Sequence, residues 1–220
     1  MAPFLLNNIS EKGVKNLDIK NFPRITVILR GYTYPQIRTV VKNLIGTKLR
    51  AVEITMNTPD AINIINKIST EFGNLVKVGA GTITTYEEAE ESIKAGAAFL
   101  LAPTMLSKEI IDLCKEKNVV SVPGAFTPTE IKKCFDYGAD IVKVFPAGTL
   151  GSKYLSDIQA PLGKLPLMAV GGISGENISD YFDAGATFAG IASGIFKRED
   201  ILNENEDGLR KSIKLFESKI

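Results

Sequence analysis

Histidine is absent from this 220-residue chain. Its absence removes the Ser-His-Asp triad, the Cys-His dyad and most zinc chemistry. Any catalysis falls to Lys, Glu, Asp, Tyr or backbone groups. Cysteine is scarce: Cys114 and Cys134 are the only two, both in segments of helical pattern. Two isolated thiols make neither a disulfide framework nor a zinc site. Net charge is missing as well. The 26 basic and 25 acidic residues leave +1, which marks neither nucleic acid nor an anionic membrane as a partner. No apolar run approaches the ~18 residues of a spanning helix. The first residues lack a basic segment and hold an apolar stretch of four residues, a poor signal peptide. The expectation is a cytoplasmic protein.

What is present is an alternation. Eight apolar, β-rich runs begin near Ile25, Ala51, Leu75, Ala98, Val119, Ile141, Leu167 and Phe188. Each is short and nearly continuous, the pattern of strands covered on both faces. Their starts are roughly 20 to 26 residues apart, one strand-plus-helix unit each. Helical patterns span Tyr34 to Lys42, Pro59 to Phe72, Thr85 to Lys94, Lys108 to Lys117 and Glu130 to Tyr137. Thr58-Pro59-Asp60, Thr84-Thr85-Tyr86-Glu87 and Thr127-Pro128-Thr129-Glu130 read as helix starts. Gly73, Gly96, Gly138 and Gly185 read as stops. A faint repeat, in which Gly96-Ala97, Gly138-Ala139 and Gly185-Ala186 each precede an apolar run, reuses one helix-to-strand joint. Eight such units argue for a closed (β/α)8 barrel (a TIM barrel) over an open doubly wound sheet. Residues 1 to 22 read as an extra N-terminal helix and 207 to 219 as a last helix. No linker divides the chain, so residues 1 to 220 form one expected domain.

In a barrel the chemistry gathers at the C-terminal strand ends. Lys143, in Ile141-Val142-Lys143-Val144-Phe145-Pro146, is a lysine inside an apolar run. Burial would lower its pKa and free an amine to attack a ketone; a snorkelling or ion-paired lysine would give the same pattern. Lys77, in Leu75-Val76-Lys77-Val78, is an equal candidate by pattern. Glu53, in Ala51-Val52-Glu53-Ile54-Thr55, fits proton transfer or an ion pair with either lysine. Gly79-Ala80-Gly81-Thr82 allows close backbone approach, or a plain turn. Val170-Gly171-Gly172-Ile173 and Gly190-Ile191-Ala192-Ser193-Gly194 end the last two strands, where barrels bind phosphate. Arg30, after the first strand, could hold a carboxylate or phosphate bidentately, or a rim ion pair.

Together these motifs resemble the class I 2-keto-3-deoxy-6-phosphogluconate (KDPG) and 4-hydroxy-2-oxoglutarate (KHG) aldolases. The matching pieces run from about Ile25 to Phe196: Val52-Glu53-Ile54-Thr55, Gly79-Ala80-Gly81-Thr82, Ala102-Pro103, Thr127-Pro128-Thr129-Glu130, Val142-Lys143-Val144-Phe145-Pro146 and Gly171-Gly172-Ile173. The resemblance implies that Lys143 is the Schiff-base lysine and Glu53 the general acid/base. It implies that Thr82 holds the pyruvate carboxylate, that Pro103 and Phe145 shape the pocket, and that Gly171, Gly172 and Ser193 bind phosphate. It also implies a homotrimer that needs no metal or cofactor beyond the lysine imine. Asn57 stands where gluconate-type enzymes often have arginine, and Val170 where they often have threonine. Both, like Arg30 and Gly151-Ser152-Lys153-Tyr154, resemble the sister 2-keto-3-deoxy-6-phosphogalactonate (KDPGal) aldolases, which act on the C4 epimer.

The expected reaction cleaves a 2-keto-3-deoxy-6-phospho sugar acid to pyruvate and glyceraldehyde 3-phosphate, with 4-hydroxy-2-oxoglutarate as a further substrate. The C4 configuration stays open. Two other readings are a phosphate-barrel isomerase or epimerase, which would form no imine with pyruvate, and a non-catalytic phosphosugar-binding barrel.

Overall fold

The computed structural model describes residues 19–220. The expected N-terminal helix lies almost wholly outside that range; of it, only a 3-10 turn at Ile19–Asn21 is described. Nine parallel strands follow: β1 (Ile25–Leu29), β2 (Ala51–Thr55), β3 (Lys77–Gly81), β4 (Phe99–Leu101), β5 (Val120–Val122), β6 (Gly124–Ala125), β7 (Val142–Val144), β8 (Leu167–Val170) and β9 (Phe188–Ile191). The intervening helices are α1 (Tyr34–Leu44), α2 (Ala61–Phe72), α3 (Tyr86–Lys94), α4 (Lys108–Glu116), α5 (Pro128–Asp136), α6 (Ala147–Leu150), α7 (Lys153–Leu162) and α8 (Ile178–Asp183). After β9 come α9 (Arg198–Leu202) and α10 (Glu206–Glu217).

The sheet runs β5-β4-β3-β2-β1-β9-β8-β7-β6, so its two edges are consecutive pieces of one strand. The sequence reads this region as a single run from Val119. Pro123 splits it, because proline has no N–H to donate to a ladder. The barrel still closes across the break. Ile141 N donates to Ser121 O at 3.2 Å and Lys143 N to Pro123 O at 2.9 Å.

Two apolar layers follow from strand alternation. Outward residues such as Val52, Ile54, Val78 and Ala80 pack under the helices with Val41, Ile65 and Ile68. Inward residues, among them Ile28, Phe99, Leu101, Val122, Met168 and Phe188, fill the barrel. Phe22 closes the N-terminal end, edge-on to Phe99 at 5.3 Å and to Phe188 at 5.7 Å between ring centroids. The chemistry is thereby confined to the other end.

The repeated joint is physical. Gly96, Gly138 and Gly185 have φ of 98°, 94° and 100°. In each case the next N–H reaches back five residues: Ala97 to Ser92 O, Ala139 to Cys134 O and Ala186 to Tyr181 O. This is the Schellman helix stop, which favours glycine. Thr85 and Thr127 cap their helices as expected, with Glu88 and Glu130 completing capping boxes. Thr58 does not. The N-cap of α2 is Asp60, at φ 61° and without a side-chain cap; its carboxylate accepts from Asn63 Nδ2 at 2.8 Å, and the Thr58 hydroxyl is engaged elsewhere. Gly73 stops α2 at a right-handed φ of −58°. Cys114 and Cys134 are buried and unpaired.

Candidate active site

A cavity of about 570 Å³ opens at the C-terminal mouth. Strand alternation places its central groups. Glu53 lies on β2 between the outward Val52 and Ile54, and register pairs it with Ile28 and Gly79. Lys143 lies at the middle of β7, paired with Gly124 and Met168. Both face inward above the Phe99–Met168–Phe188 filling. Glu53 is 2% exposed and Lys143 6%.

Burial dominates their electrostatics. Desolvation pushes Glu53 up to about 7, while the positive charges of Lys143 and Arg30 pull the other way. Desolvation lowers Lys143; Glu53 opposes that shift and Arg30 adds to it. One Glu53 oxygen, Oε2, has no hydrogen-bond partner, so the carboxyl is left with an open acceptor at the cavity wall. The Lys143 Nζ lies 4.6 Å from the centre of the Phe145 ring.

The glycines after Lys77 make this placement possible. A Cβ on Gly79 would overlap the Phe99 ring, and one on Gly81 would overlap the Glu53 carboxylate. Thr82 follows in the left-handed region at φ 62°, where a β-branched residue is an outlier costing of order 1–3 kcal/mol. Its Oγ1 accepts a hydrogen bond from Arg30 at 3.4 Å. On the far wall, Gly171 and Gly172 stand in succession at φ 91° and 75°. Asn177 braces that loop, donating from Nδ2 to Gly172 O at 2.8 Å and accepting from Ser174 N at 2.9 Å.

The structure brings Arg30, Glu53, Thr82, Pro103, Lys143, Phe145, Val170, Gly171, Gly172 and Ser193 to this one cavity. It does not bring Asn57, which is exposed and lies off the lining. The chain turns away at the end of β2, where Thr58 N donates to Thr55 O. Lys77 is also elsewhere. It is exposed at the opening of β3 and lines a separate recess with Arg50 and Asn74 at the opposite end of the barrel. Ile28 and Ser174 line the cavity and were not singled out from the sequence. Inward parity with Arg30 could have found Ile28. Among the described residues no group of His, Cys, Asp and Glu clusters as metal ligands would, and no helix is long and apolar enough to cross a membrane.

The family model described as KDPG and KHG aldolase matches residues 18–211. A probable 2-dehydro-3-deoxy-6-phosphogalactonate aldolase of Rhizobium meliloti is 34% identical over 79% of this chain and 82% of its own length. The 2-dehydro-3-deoxy-6-phosphogalactonate aldolase of Escherichia coli K12 is 30% identical over 79% and 84%. A solved structure described as native KDPGal superposes with a TM-score of 0.77 at 26% identity, covering 89% of this chain and 95% of the other. The fold also matches a Legionella pneumophila KDPG aldolase holding pyruvate as a covalent carbinolamine, at a TM-score of 0.79 and 22% identity over 87% and 92%.

Proposed function

Since the chain belongs to the KDPG and KHG aldolase family, and is a class I aldolase of phosphorylated keto-deoxy sugar acids, we propose that Lys143 forms the Schiff base and Glu53 moves the proton. The observation that carries this reading is the burial of one amine, on β7, and one carboxyl, on β2, at inward positions that line a single cavity. Neutral Lys143 attacks the C2 ketone. The resulting carbinolamine loses water to give a protonated imine, which serves as the electron sink. Glu53, as carboxylate, takes the C4 hydroxyl proton while the C3–C4 bond breaks. The aldehyde departs, the enamine takes a proton at C3, and hydrolysis of the imine releases pyruvate. The reaction draws on no cofactor beyond the lysine.

We assign the substrate carboxylate to Arg30 and Thr82, which already meet at 3.4 Å. Pro103 and Phe145 shape the pocket around the pyruvyl carbons. The phosphate falls to Gly171, Gly172 and Ser193, where two left-handed glycines let the backbone approach. Binding energy there is remote from the reacting bond and holds it in place. The substrate we favour is the galactonate epimer. Arg30 and Val170 both line the cavity, Asn57 does not, and the two relatives above carry that activity in their names. We further propose a cytoplasmic homotrimer, to be checked by light scattering.

The test is pyruvate with sodium borohydride, followed by intact mass and peptide mapping. A single reduced pyruvyl adduct on Lys143, absent from Lys143→Met, is expected. An adduct on Lys77, or none, refutes the assignment. A ratio of kcat/KM above one for the galactonate over the gluconate epimer supports the substrate reading, and the reverse ratio overturns it.

A further inference from the structure

Arg30 is lightly held by its side chain. It is exposed, and its hydrogen bond to Thr82 Oγ1 is long at 3.4 Å. Its backbone is held far more firmly. The next residue, Gly31, has φ of 74° and donates its N–H to Thr58 Oγ1 at 2.9 Å. Thr58 is 3% exposed, and its hydroxyl lies 3.0 Å from that of Thr55, which is fully buried. Neither threonine lines the cavity.

The placement of this pair is telling. Thr55 lies two residues beyond Glu53 and pairs in register with Gly81, the residue before Thr82. The two hydroxyls therefore stand where the ends of β1, β2 and β3 meet, the ends that carry Arg30, Glu53 and Thr82. Thr58 also sits where a helix cap is expected, yet α2 starts without a side-chain cap. The hydroxyl is directed to the amide of Gly31, just beyond β1, instead of its own helix.

We infer that Thr58, backed by Thr55, is a positioning residue for Arg30. By anchoring the Gly31 amide it fixes the direction in which Arg30 leaves the backbone, and so sets affinity for the substrate carboxylate without touching it. This rests on Arg30 being a carboxylate ligand.

The experiment compares Thr58→Val, Thr58→Ser and Arg30→Met, singly and with Thr58→Val in the Arg30→Met background. The readouts are cleavage kinetics and the pyruvate concentration that half-saturates borohydride trapping. Thr58→Val removes a hydrogen bond and strands its partners. It should raise KM and the half-saturating pyruvate about tenfold, with kcat within about threefold of wild type. Thr58→Ser, which keeps the hydroxyl, should stay within about twofold of wild type, and Thr58→Val should add less than about twofold once Arg30 is Met. Should Thr58→Val not fold, Thr58→Ala against Thr58→Ser makes the same comparison. An unchanged KM in the hydroxyl-less variant, a fall confined to kcat, or a full effect in the Arg30→Met background overturns the inference. If Arg30→Met itself leaves KM unchanged, the carboxylate assignment fails first, and the inference falls with it.

Discussion

Burial pushes Glu53 up to about 7 and Lys143 down, each toward its uncharged form. The proposed mechanism needs both without their protons at its start: the amine to attack, the carboxylate to accept. Activity should therefore rise with pH, with a limb near 7 from Glu53. Arg30 lowers the pKa of both groups. Removing its charge in Arg30→Met should raise both, so the limb of a kcat/KM–pH profile should move to higher pH. A limb that stays in place would mean that the Arg30 field does not reach the pair. In Glu53→Gln the carboxylate that supports the Lys143 ammonium is gone, so the amine should be more readily neutral. Adduct formation with pyruvate should persist while turnover falls by ~10²–10⁴.

At the scale of elements, β2 and β3 form one device. Gly81 has no side chain because the Glu53 carboxylate occupies that space. Gly81→Ala should leave the barrel folded, since its φ is not left-handed, but should drive Glu53 off its position. We expect a loss of about a hundredfold or more in kcat, within the range of a missing general base, with pyruvate still trapped on Lys143. A near wild-type kcat would show that Glu53 has room to move. The strands themselves were legible because a strand covered on both faces reads as one apolar run, and the helix stops because the Schellman geometry favours glycine. Lys143 and Lys77 could not be separated by alternation. Both occupy inward positions, and only the register shows that Lys77 opens β3 while Lys143 lies deep in β7. Thr58 misread for a related reason: its hydroxyl is taken by the amide of Gly31, just beyond β1 and far away in sequence, and local pattern carries no trace of it. The break at Pro123 was hidden because the apolar run passes through it.

For the whole molecule, the site is a cost to the fold. Glu53 moves up and Lys143 moves down, and both directions mean that folding disfavours the charged form. The sign for Glu53 is that stability falls as pH rises from its unfolded value of 4.5 through about 7, and the loss persists above that. Removing both groups should thus stabilise. The double variant Glu53→Gln, Lys143→Met should gain about 1–4 kcal/mol, the scale seen when buried ion pairs are replaced, and raise Tm by at least ~2 °C. Calorimetry at pH 8 would check this; a lower Tm would mean that the pair supports the barrel.

The aromatic plug of Phe22, Phe99 and Phe188 closes one end of the barrel, so among the described residues the cavity opens at the C-terminal mouth. Lys143 sits below and the Gly171-Gly172 loop sits at the rim. With Lys143 and that loop in their proposed roles, the pyruvyl half stays covalently held at the bottom after C–C cleavage and the phosphorylated aldehyde lies above it, so traffic is ordered. The aldehyde leaves first, water follows it in, and pyruvate comes out last. Run backwards, the same order loads pyruvate before the aldehyde, and an aldehyde arriving early obstructs the mouth.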